Sequence, residues 1–320
     1  GYPDQLKVEV EHLDLGREED REYHELLVDL LRHKYADAHF DVVVPFYVQA
    51  FNFTLTHRDL FHNAPVVFCS VPVAVANGAD DQPDTTGIVF TLEFIETVDL
   101  ARGLFPDAQR LIVLSGASQG DQILRRWAEK SLSPLKAEFE LEFVSGLPLP
   151  EVCDKLAQID TRSIVLVLTH DSDTAGRNHM TTEAVQLIAE HSRAPVFGLY
   201  DTLLGYGILG GKLVSAATQG ELAGGMAVRV LNGEAPGNIP NTGLEASQYI
   251  FDARQLQRWS IPKNQLPPDS QLRYSEVTLW DRYGSYLIGV AIAIAVQTLV
   301  IAALVINRSR RMRAEQSLLT

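Results

Sequence analysis

Short apolar runs alternate with segments of helical periodicity through most of the chain. The runs typical of buried strands are 41–46 (DVVVPF), 65–69 (PVVFC), 88–92 (IVFTL), 110–115 (RLIVLS), 138–144, 163–169 (SIVLVLT) and 195–200 (PVFGLY). Helices are predicted between them at 18–35, 95–103, 120–131, 150–158 and 179–191. Alternation of strands with helical connections of about 10 to 15 residues is typical of parallel sheets covered by helices on both faces. The pattern therefore predicts an α/β protein.

The two ends of this alternating region have less regular patterns. Residues 7–13 (KVEVEHL) alternate polar and apolar positions and predict a strand. Residues 212–231 predict one helix, 247–251 a strand and 252–259 a further helix. Residues 77–87 form a Gly/Asp/Pro-rich loop between two strand–helix–strand units, and 262–269 (PKNQLPPD) have the proline density of a semi-rigid spacer.

A single long apolar segment follows that spacer. Residues 286–306 (YLIGVAIAIAVQTLVIAALVI) contain no charged side chain, and four arginines come directly after them, at 308, 310, 311 and 313. A helix needs about 20 apolar residues to cross the hydrocarbon core of a bilayer. Because arginines are retained on the cytoplasmic side, we expect residues 1–285 to be periplasmic or extracellular and the span to lie in the cytoplasmic membrane.

Charge excludes one class of partner. Residues 1–280 carry 39 acidic and 22 basic side chains, a net charge of −17. Such a field repels phosphate backbones, so nucleic acid is not an expected partner. The chain also has only two cysteines, Cys69 and Cys153, in apolar surroundings that predict buried thiols rather than a disulfide framework.

The start of the chain carries no targeting signal. Gly1 is not preceded by an initiator methionine, and neither a basic nor an apolar leader run follows it. An exported domain requires such a signal. We therefore expect an upstream segment that was removed or lies outside this sequence.

Polar and aromatic residues follow several of the predicted strands. Ligands of open α/β sheets bind outside the carboxyl ends of the strands, and residues at these ends from two sheets would face each other across one cleft. The candidate ligand-binding residues are Tyr47, Gln49, Ser70, Ser115, Ser118, Gln119, Thr169, His170, Asp171, Tyr200 and Asp201. For each of them, solvation of a loop is an equally simple explanation.

Three motifs permit other chemistry. Residues 116–120 (GASQG) match the G-x-S-x-G elbow of serine hydrolases, with Ser118 as nucleophile, Asp171 or Asp173 and then His179 or His191 in the expected order. Residues 205–210 match G-x-G-x-x-G of dinucleotide-binding folds, but no second strand with a ribose-binding acid is evident. Residues 170–173 (HDSD) have no second ligand group at a metal-binding spacing. Tight turns and helix caps explain all three, so we expect no catalytic residue, cofactor or metal.

Two stretches of the chain resemble a known family. Residues 194–240 and 249–270 are similar to ABC-transporter substrate-binding-protein-like proteins, a group that includes tryptophan and tyrosine transport components. The residues that carry the resemblance are Pro195, Val196, Asp201, Gly205, Gly207, Gly210, Gly211, Gln219, Gly220, Leu231, Gly233, Glu234, Phe251, Asp252, Gln255, Leu256, Arg258 and Trp259. Residues 40–53 and 60–71 resemble the first lobe of the same family, so the similarity covers about residues 8–268.

The resemblance implies a fold and a division of the chain. The fold is the type I periplasmic-binding-protein fold, with two Rossmann-like lobes of parallel sheet flanked by helices, and the first βα unit of the family is expected to be missing from this sequence. Lobe 1 would comprise 1–93 and 205–246, and lobe 2 would comprise 94–204 and 247–266. A juxtamembrane linker (267–285), a transmembrane helix (286–306) and the start of a cytoplasmic signalling helix (307–320) would follow.

A soluble transport protein would end near residue 266, whereas this chain continues into the membrane. That continuation resembles the sensor module of bacterial membrane histidine kinases, and it implies a receptor whose lobes close on a small, amino-acid-like molecule. Alternatives are a membrane-anchored transporter component and the Ser118 hydrolase. In the sensor, Asp201 would pair with a ligand ammonium, Tyr47 and Tyr200 would stack on the ligand, and Ser70, Ser118 and Thr169 would donate hydrogen bonds.

A homodimer is expected for such a receptor. Gly289, Ala293 and Gln297 recur every four residues and place small or amide side chains on one stripe of the predicted span. Small residues allow close approach of two membrane helices, and amides bond across them. The stripe therefore predicts a helix-pairing face, with tolerance of small residues against lipid as the alternative.

Overall fold

A computed structural model describes residues 6–15, 21–76, 84–243, 246–275 and 279–317. The chain forms two compact units, Gly1–Tyr274 and Ser275–Thr320. Part of the predicted loop at 77–87, the first residues of the helix predicted at 18–35, and residues 276–278 of the predicted linker lie outside the described residues.

The first unit alternates strands and helices. Its strands are β1 (Val66–Pro72), β2 (Thr85–Phe90), β3 (Arg110–Ser115), β4 (Glu140–Ser145), β5 (Ser163–Val167), β6 (Val196–Phe197), β7 (Gly210–Val214), β8 (Ser247–Asp252) and β9 (Gln271–Arg273). Its helices are α1 (Arg21–Lys34), α2 (Tyr47–Thr56), α3 (Val73–Ala76), α4 (Phe94–Leu104), α5 (Gln119–Ser131), α6 (Leu149–Leu156), α7 (Thr181–His191), α8 (Ala216–Leu231) and α9 (Ala253–Arg258). The α/β prediction is confirmed.

The largest sheet has the order β4-β3-β5-β6, and all its pairs are parallel. Successive side chains of a strand point to opposite faces. Accordingly, Leu111 and Val113 of β3 belong to one buried cluster, whereas Ile112 and Leu114 belong to another. Helices therefore cover both faces, which explains why β3 and β5 are apolar at every central position.

A second parallel pair, β1 with β2, is extended by single bridges on either side. Val43 and Phe46 bridge to Val66 and Cys69, so the predicted strand at 41–46 runs parallel beside β1 without forming a continuous ladder. On the other side, Ile88 bridges to Thr242. Cys69 is buried against α8 in the cluster below this pair, and Cys153 is buried beside the other sheet; both are free thiols, as predicted.

The strand predicted at 7–13 does not form, so this prediction was wrong. These residues have no strand assignment, and Val8 and Val10 are 77% and 71% exposed. Alternation of polar and apolar residues produces a strand only where a neighbouring edge supplies backbone partners. Among the described residues, no strand pairs with this segment.

The helix predicted at 212–231 starts later in the structure than predicted. Its first residues form β7, which pairs antiparallel with β8, and Leu213 and Val214 are buried in the two clusters of the large sheet. The helix α8 starts only at Ala216, where the side chain of Ser215 accepts a hydrogen bond from the Thr218 amide. Burial of the apolar strand and the cap at Ser215 together place the boundary.

The predicted linker begins inside the fold. Gln271–Arg273 forms β9, which pairs parallel with β8, and the hydroxyl of Tyr274 donates to the carbonyl of Leu204 at 3.1 Å. The division into lobes stays a prediction. Within the first unit, β7 packs with the large sheet whereas α8 packs on β1 and β2, so the chain passes from one sheet to the other at Ser215.

Among the described residues of the second unit there is one helix, α10 (Leu279–Ser317). Its segment Tyr286–Arg308 has a mean hydropathy of 2.6 and is long and apolar enough to cross a membrane, by length and composition. The helix continues past Asn307 without a break. Gly289, Ala293 and Gln297 share one face of it, and their role in pairing stays a prediction.

Candidate ligand-binding site

A cleft in the first unit is formed by segments that are distant in sequence. The space enclosed within it is about 10 Å³, and the whole depression measures about 270 Å³ when space open to solvent is included. It is lined by Tyr47, Ser70, Phe90, Tyr200, Asp201, Thr202, Val214 and Ala216. These residues come from the start of α2, the ends of β1 and β2, the turn after β6, and the passage from β7 into α8. Four of the predicted ligand-binding residues are thus brought together: Tyr47, Ser70, Tyr200 and Asp201.

Two lining residues have unusual backbone conformations. Tyr47 has φ +69° and Ser70 has φ +58°. At Ser70 the pairing of β1 with β2 shifts register between Phe68 and Val71, as it does at a β-bulge. Left-handed backbone is rare for residues other than glycine and clusters at ligand sites. The wall formed by Tyr47 and Ser70 therefore departs from regular sheet.

The ionisable groups around the cleft leave one dominant charge. Burial raises the pKa of the Tyr47 phenol, and the neighbouring Cys69 and Asp201 raise it further. Burial also raises the pKa of Tyr200 and that of the Cys69 thiol, to about 11. These three groups are neutral at pH 7. Asp201 is the one residue with a carboxyl group among the lining side chains.

Asp201 lies at the start of α8. Its Oδ1 atom accepts a hydrogen bond from the backbone N–H of Ala216, the first residue of that helix, at 3.1 Å. This contact ties the turn after β6 to the helix. The residue is half-buried, and its Oδ2 atom forms no hydrogen bond within the described residues. A partly desolvated carboxylate oxygen thus borders the cleft, where it can accept a hydrogen bond from a cation.

Gln49 and Gln119 line a different cavity. Its volume is about 820 Å³, again including open space, and its other lining residues are Leu15, His24, Asn52, Phe53, Thr56 and His57. Gln49 belongs to α2 and Gln119 opens α5. The structure therefore brings these two predicted residues together, but apart from the cleft at Asp201.

The polar residues at the ends of β3 and β5 bond to one buried carboxylate, that of Asp121. Ser118 caps α5: its Oγ accepts from the Asp121 amide, and its own amide donates to Asp121 Oδ2, both at 3.0 Å. Asp121 Oδ1 accepts from Thr169 Oγ1 at 2.5 Å, and Oδ2 accepts from the Asp171 amide at 3.2 Å. Ser115 is buried at the end of β3. None of these predicted residues lines either cavity.

Sequence reasoning had missed Asp121, which is completely buried. The pattern that could have revealed it is the spacing from Ser118 to Asp121, a capping box at the start of a helix. This reciprocal cap explains the polar residues of the G-x-S-x-G sequence without any chemistry at Ser118.

The arrangement does not match a serine hydrolase. His179 lies 3.4 Å from Asp173, and the Nδ1 atom of His191 lies 2.8 Å from the carbonyl oxygen of Leu187. Within the part of the chain that the structure describes, no histidine bonds to Ser118. The same residues also contain no group of three or more His, Cys, Asp or Glu side chains placed to hold a metal ion.

The glycines at 205–211 serve close packing. Gly207 has φ +102°, and a Cβ there would lie 2.4 Å from the Cβ of Ala189. Gly210 stands in β7, and a Cβ there would lie 2.4 Å from the carbonyl oxygen of Ile250 in β8. A side chain at either position would collide with its neighbour, which explains the motif without a dinucleotide.

His170 is isolated in the interior. It is 1% exposed, both ring nitrogens have no hydrogen-bond partner, and its ring centroid lies 5.4 Å from that of His179. Burial lowers the pKa of His170, although the nearby Asp121 carboxyl opposes the effect. The residue lines neither cavity.

Comparison with known proteins places this geometry in a family. The model of the family described as ABC transporter substrate binding protein matches residues 24–265. Among curated proteins, none matches the chain in sequence.

Several solved structures share the fold. One is an ABC domain in complex with L-Trp from Streptococcus pneumonia, with 16% identity, a TM-score of 0.57, and coverage of 79% of this chain and 84% of that one. Another is the ligand-free, open form of a substrate binding protein with adhesive properties from Clostridium difficile, with 16% identity, a TM-score of 0.59, and coverage of 80% and 84%. A conserved domain protein from Vibrio cholerae has 16% identity, a TM-score of 0.55, and coverage of 78% and 84%.

Proposed function

This chain belongs to the ABC transporter substrate binding protein family, and we propose that it is the extracytoplasmic ligand-sensing region of a membrane signal-transduction receptor of the histidine kinase type. Its first unit has the fold of a substrate-binding domain. The proposal adds the ligand class, the direction of signalling and the membrane location.

The observation that carries the proposal is the cleft around Asp201. Two tyrosines, the hydroxyl residues Ser70 and Thr202 and a single carboxylate border it, and two of the lining residues, Tyr47 and Ser70, have left-handed backbone. Aromatic faces bind apolar or cationic groups, and a half-buried carboxylate pairs with an ammonium. An amino-acid-like ligand offers these groups together. The relative from Streptococcus pneumonia was solved with L-Trp.

In this proposal Asp201 binds the ligand ammonium, and Tyr47 and Tyr200 contact its side chain. Ser70, which was also predicted to donate to the ligand, donates its hydroxyl proton to Gln219. Ser118 and Thr169 bond to Asp121, so they hold the neighbouring loops instead. Gln49 and Gln119 border the second cavity and play no part in the contacts proposed for Asp201.

The signal would pass through α10. A ligand shifts a conformational equilibrium only by the difference between its affinities for the two states. Ligand-dependent closure of the first unit would therefore bias the position of the apolar segment Tyr286–Arg308, which we propose spans the cytoplasmic membrane with the arginines inside. The continuous helix beyond Asn307 would transmit that change within a homodimer.

Isothermal titration of the first unit with the twenty standard L-amino acids tests the binding site. We expect at least one to bind, and Asp201→Asn to weaken it about tenfold or more, a loss of about 1.4 kcal/mol. Asparagine keeps an Oδ1 acceptor for Ala216 but removes the charge, so the fold should persist.

Asp160→Asn is the matched control, because Asp160 is exposed and pairs with Arg162 far along the chain from the cleft. Its binding should equal that of the wild type. Equal binding by Asp201→Asn would remove Asp201 from the site, and no binding by the wild type would contradict the amino-acid ligand.

The family match also supports a membrane-anchored component of an ABC transporter. The sequence downstream of Thr320 in the gene distinguishes the two. Dimerisation and kinase segments there support the receptor, whereas a stop codon within a few residues supports the transporter component.

A further inference from the structure

Gln219 places its amide group behind Ser70, and the nitrogen atom of that amide has no hydrogen-bond partner among the described residues. The residue lies in the first part of α8 and is completely buried. Its Oε1 atom accepts a hydrogen bond from Oγ of Ser70, which lines the cleft, while its Nε2 atom has no hydrogen-bond partner. Sequence reasoning included Gln219 in the family pattern but gave it no role.

An amide donor in this state is energetically costly. A buried donor without an acceptor loses about 1 to 3 kcal/mol relative to a solvated one. Most buried polar atoms in folded proteins are paired. An unpaired one is explained by local strain, by a bound water or by a ligand. Because Ser70 holds the amide at the cleft wall, an acceptor that enters beside Ser70 is well placed to pair with it.

The local charges favour an anionic acceptor at this end of the cleft. Ala216 lines the cleft and begins the 16-residue helix α8, and a helix N-terminus carries partial positive charge. Asp201 lies at the same helix end and bonds to Ala216. A single negative group there would be repelled by Asp201, whereas a zwitterion satisfies both, with its ammonium at Asp201 and its carboxylate at the Gln219 amide beside Ser70.

We propose that Gln219 is a specificity-determining residue that binds the carboxylate of the ligand through Nε2 and so fixes its orientation in the cleft. This inference rests on the proposed amino-acid ligand. The backbone of Ser70 fits this role. Its left-handed conformation lies within a bulge, so the strand departs from regular pairing at the residue that Gln219 contacts.

The test uses three related probes: L-tryptophan, tryptamine, which lacks the carboxylate, and indole-3-propionate, which lacks the ammonium. Titrations compare the wild type with Gln219→Met and Gln219→Glu. Methionine has a similar volume and no donor. Glutamate keeps an acceptor for Ser70 but replaces the donor with a negative oxygen.

We expect both variants to bind L-tryptophan and indole-3-propionate about tenfold or more weakly, with the larger loss in Gln219→Glu, while tryptamine binding stays unchanged. Gln255→Met is the matched control. Gln255 also has an unpartnered buried amide atom, but it lies in α9 and, unlike Gln219, its side chain has no hydrogen bond to a residue that lines the cleft, among the described residues. Its variant should bind all three probes like the wild type.

Other outcomes overturn the inference in distinguishable ways. If Gln219→Met binds L-tryptophan normally, or loses tryptamine instead, Gln219 does not bind the carboxylate and the proposed function survives. If L-tryptophan does not bind the wild type, the amino acid that binds best replaces it, with its own amine and acid analogues. If none of the twenty binds, both proposals fail. Melting curves by circular dichroism confirm that each variant is folded, and Ser70→Ala replaces any variant that is not.

Discussion

Polar residues lie at the carboxyl ends of two pairs of strands in this protein, and the residues of the two pairs have different roles. At the ends of β3 and β5, Ser118, Thr169 and Asp171 bond to the buried carboxylate of Asp121. At the ends of β1 and β6, by contrast, Ser70 and Asp201 border an open cleft. A polar residue at the carboxyl end of a strand is therefore not by itself a sign of a ligand.

The difference lies in whether a buried carboxylate accepts the hydrogen bonds of these residues. After β3 the chain enters α5, and the carboxylate of Asp121 in the first turn of that helix accepts hydrogen bonds from the neighbouring donors. At the ends of β1 and β6 the backbone instead adopts a left-handed bulge or a short 3-10 turn before the next helix. Side chains whose hydrogen bonds are satisfied locally stabilise the fold, whereas the Oδ2 atom of Asp201, which forms no hydrogen bond among the described residues, remains available for binding.

The largest effect is expected at Asp121. Asp121→Ala leaves several donors without their acceptor in the interior, so we expect the free energy of unfolding to fall by about 3 kcal/mol. Ser118→Ala removes only the helix cap and should cost about 1 kcal/mol. Urea denaturation of the first unit measures both. Equal losses would show that the network does not depend on the carboxylate.

A smaller effect is expected at His170, beside that network. Because the folded pKa of His170 is lowered, the unfolded chain binds its proton first as the pH falls through about 6.5. The stability that depends on neutral His170 is complete above this pH and is lost toward the lower folded pKa, with a slope of at most about 1.4 kcal/mol per pH unit.

Urea denaturation between pH 8 and pH 5 checks this dependence. His170→Gln should lose less stability than the wild type over the range. His191→Gln is the control, because His191 is an exposed residue at the end of α7, and it should follow the wild-type curve. Parallel curves for all three proteins would show that His170 accepts a proton as readily in the fold as in the unfolded chain.

The smallest effect is expected in the cleft. The hydroxyl of Tyr47 has no hydrogen bond to the described residues, and the residue is 47% exposed. Tyr47→Phe should therefore change the free energy of unfolding by less than about 0.5 kcal/mol. Tyr35→Phe is the comparison: the Tyr35 hydroxyl donates to Glu11 at 2.5 Å, and its loss should cost about 1 kcal/mol. A Tyr47 loss as large as that of Tyr35 would place Tyr47 in the folding core.

Most of the fold was predictable because the large sheet is buried on both faces. The runs 110–115 and 163–169 are apolar at successive positions, and burial on both faces requires this of a central parallel strand. The apolar segment at 286–306 was equally clear, because length and absence of charge are properties of the sequence itself.

The sequence was less informative where an element depends on a neighbour. Residues 7–13 have the alternation of a strand but no pairing edge among the described residues, and 212–214 have helical continuity but pair with β8. The same limit applies to the candidate site. Ser118 and Ser70 are both serines near a strand end, and their positions along the chain do not show which one meets a buried carboxylate.

The sequence by itself determined the α/β alternation, the buried thiols and the apolar span of this protein, because each follows from the local spacing or composition of side chains. Only the tertiary structure decided which polar residues reach the cleft. That choice depends on contacts between distant segments, such as Asp201 with Ala216 and Ser70 with Gln219, and a local pattern carries no information about partners that lie far along the chain.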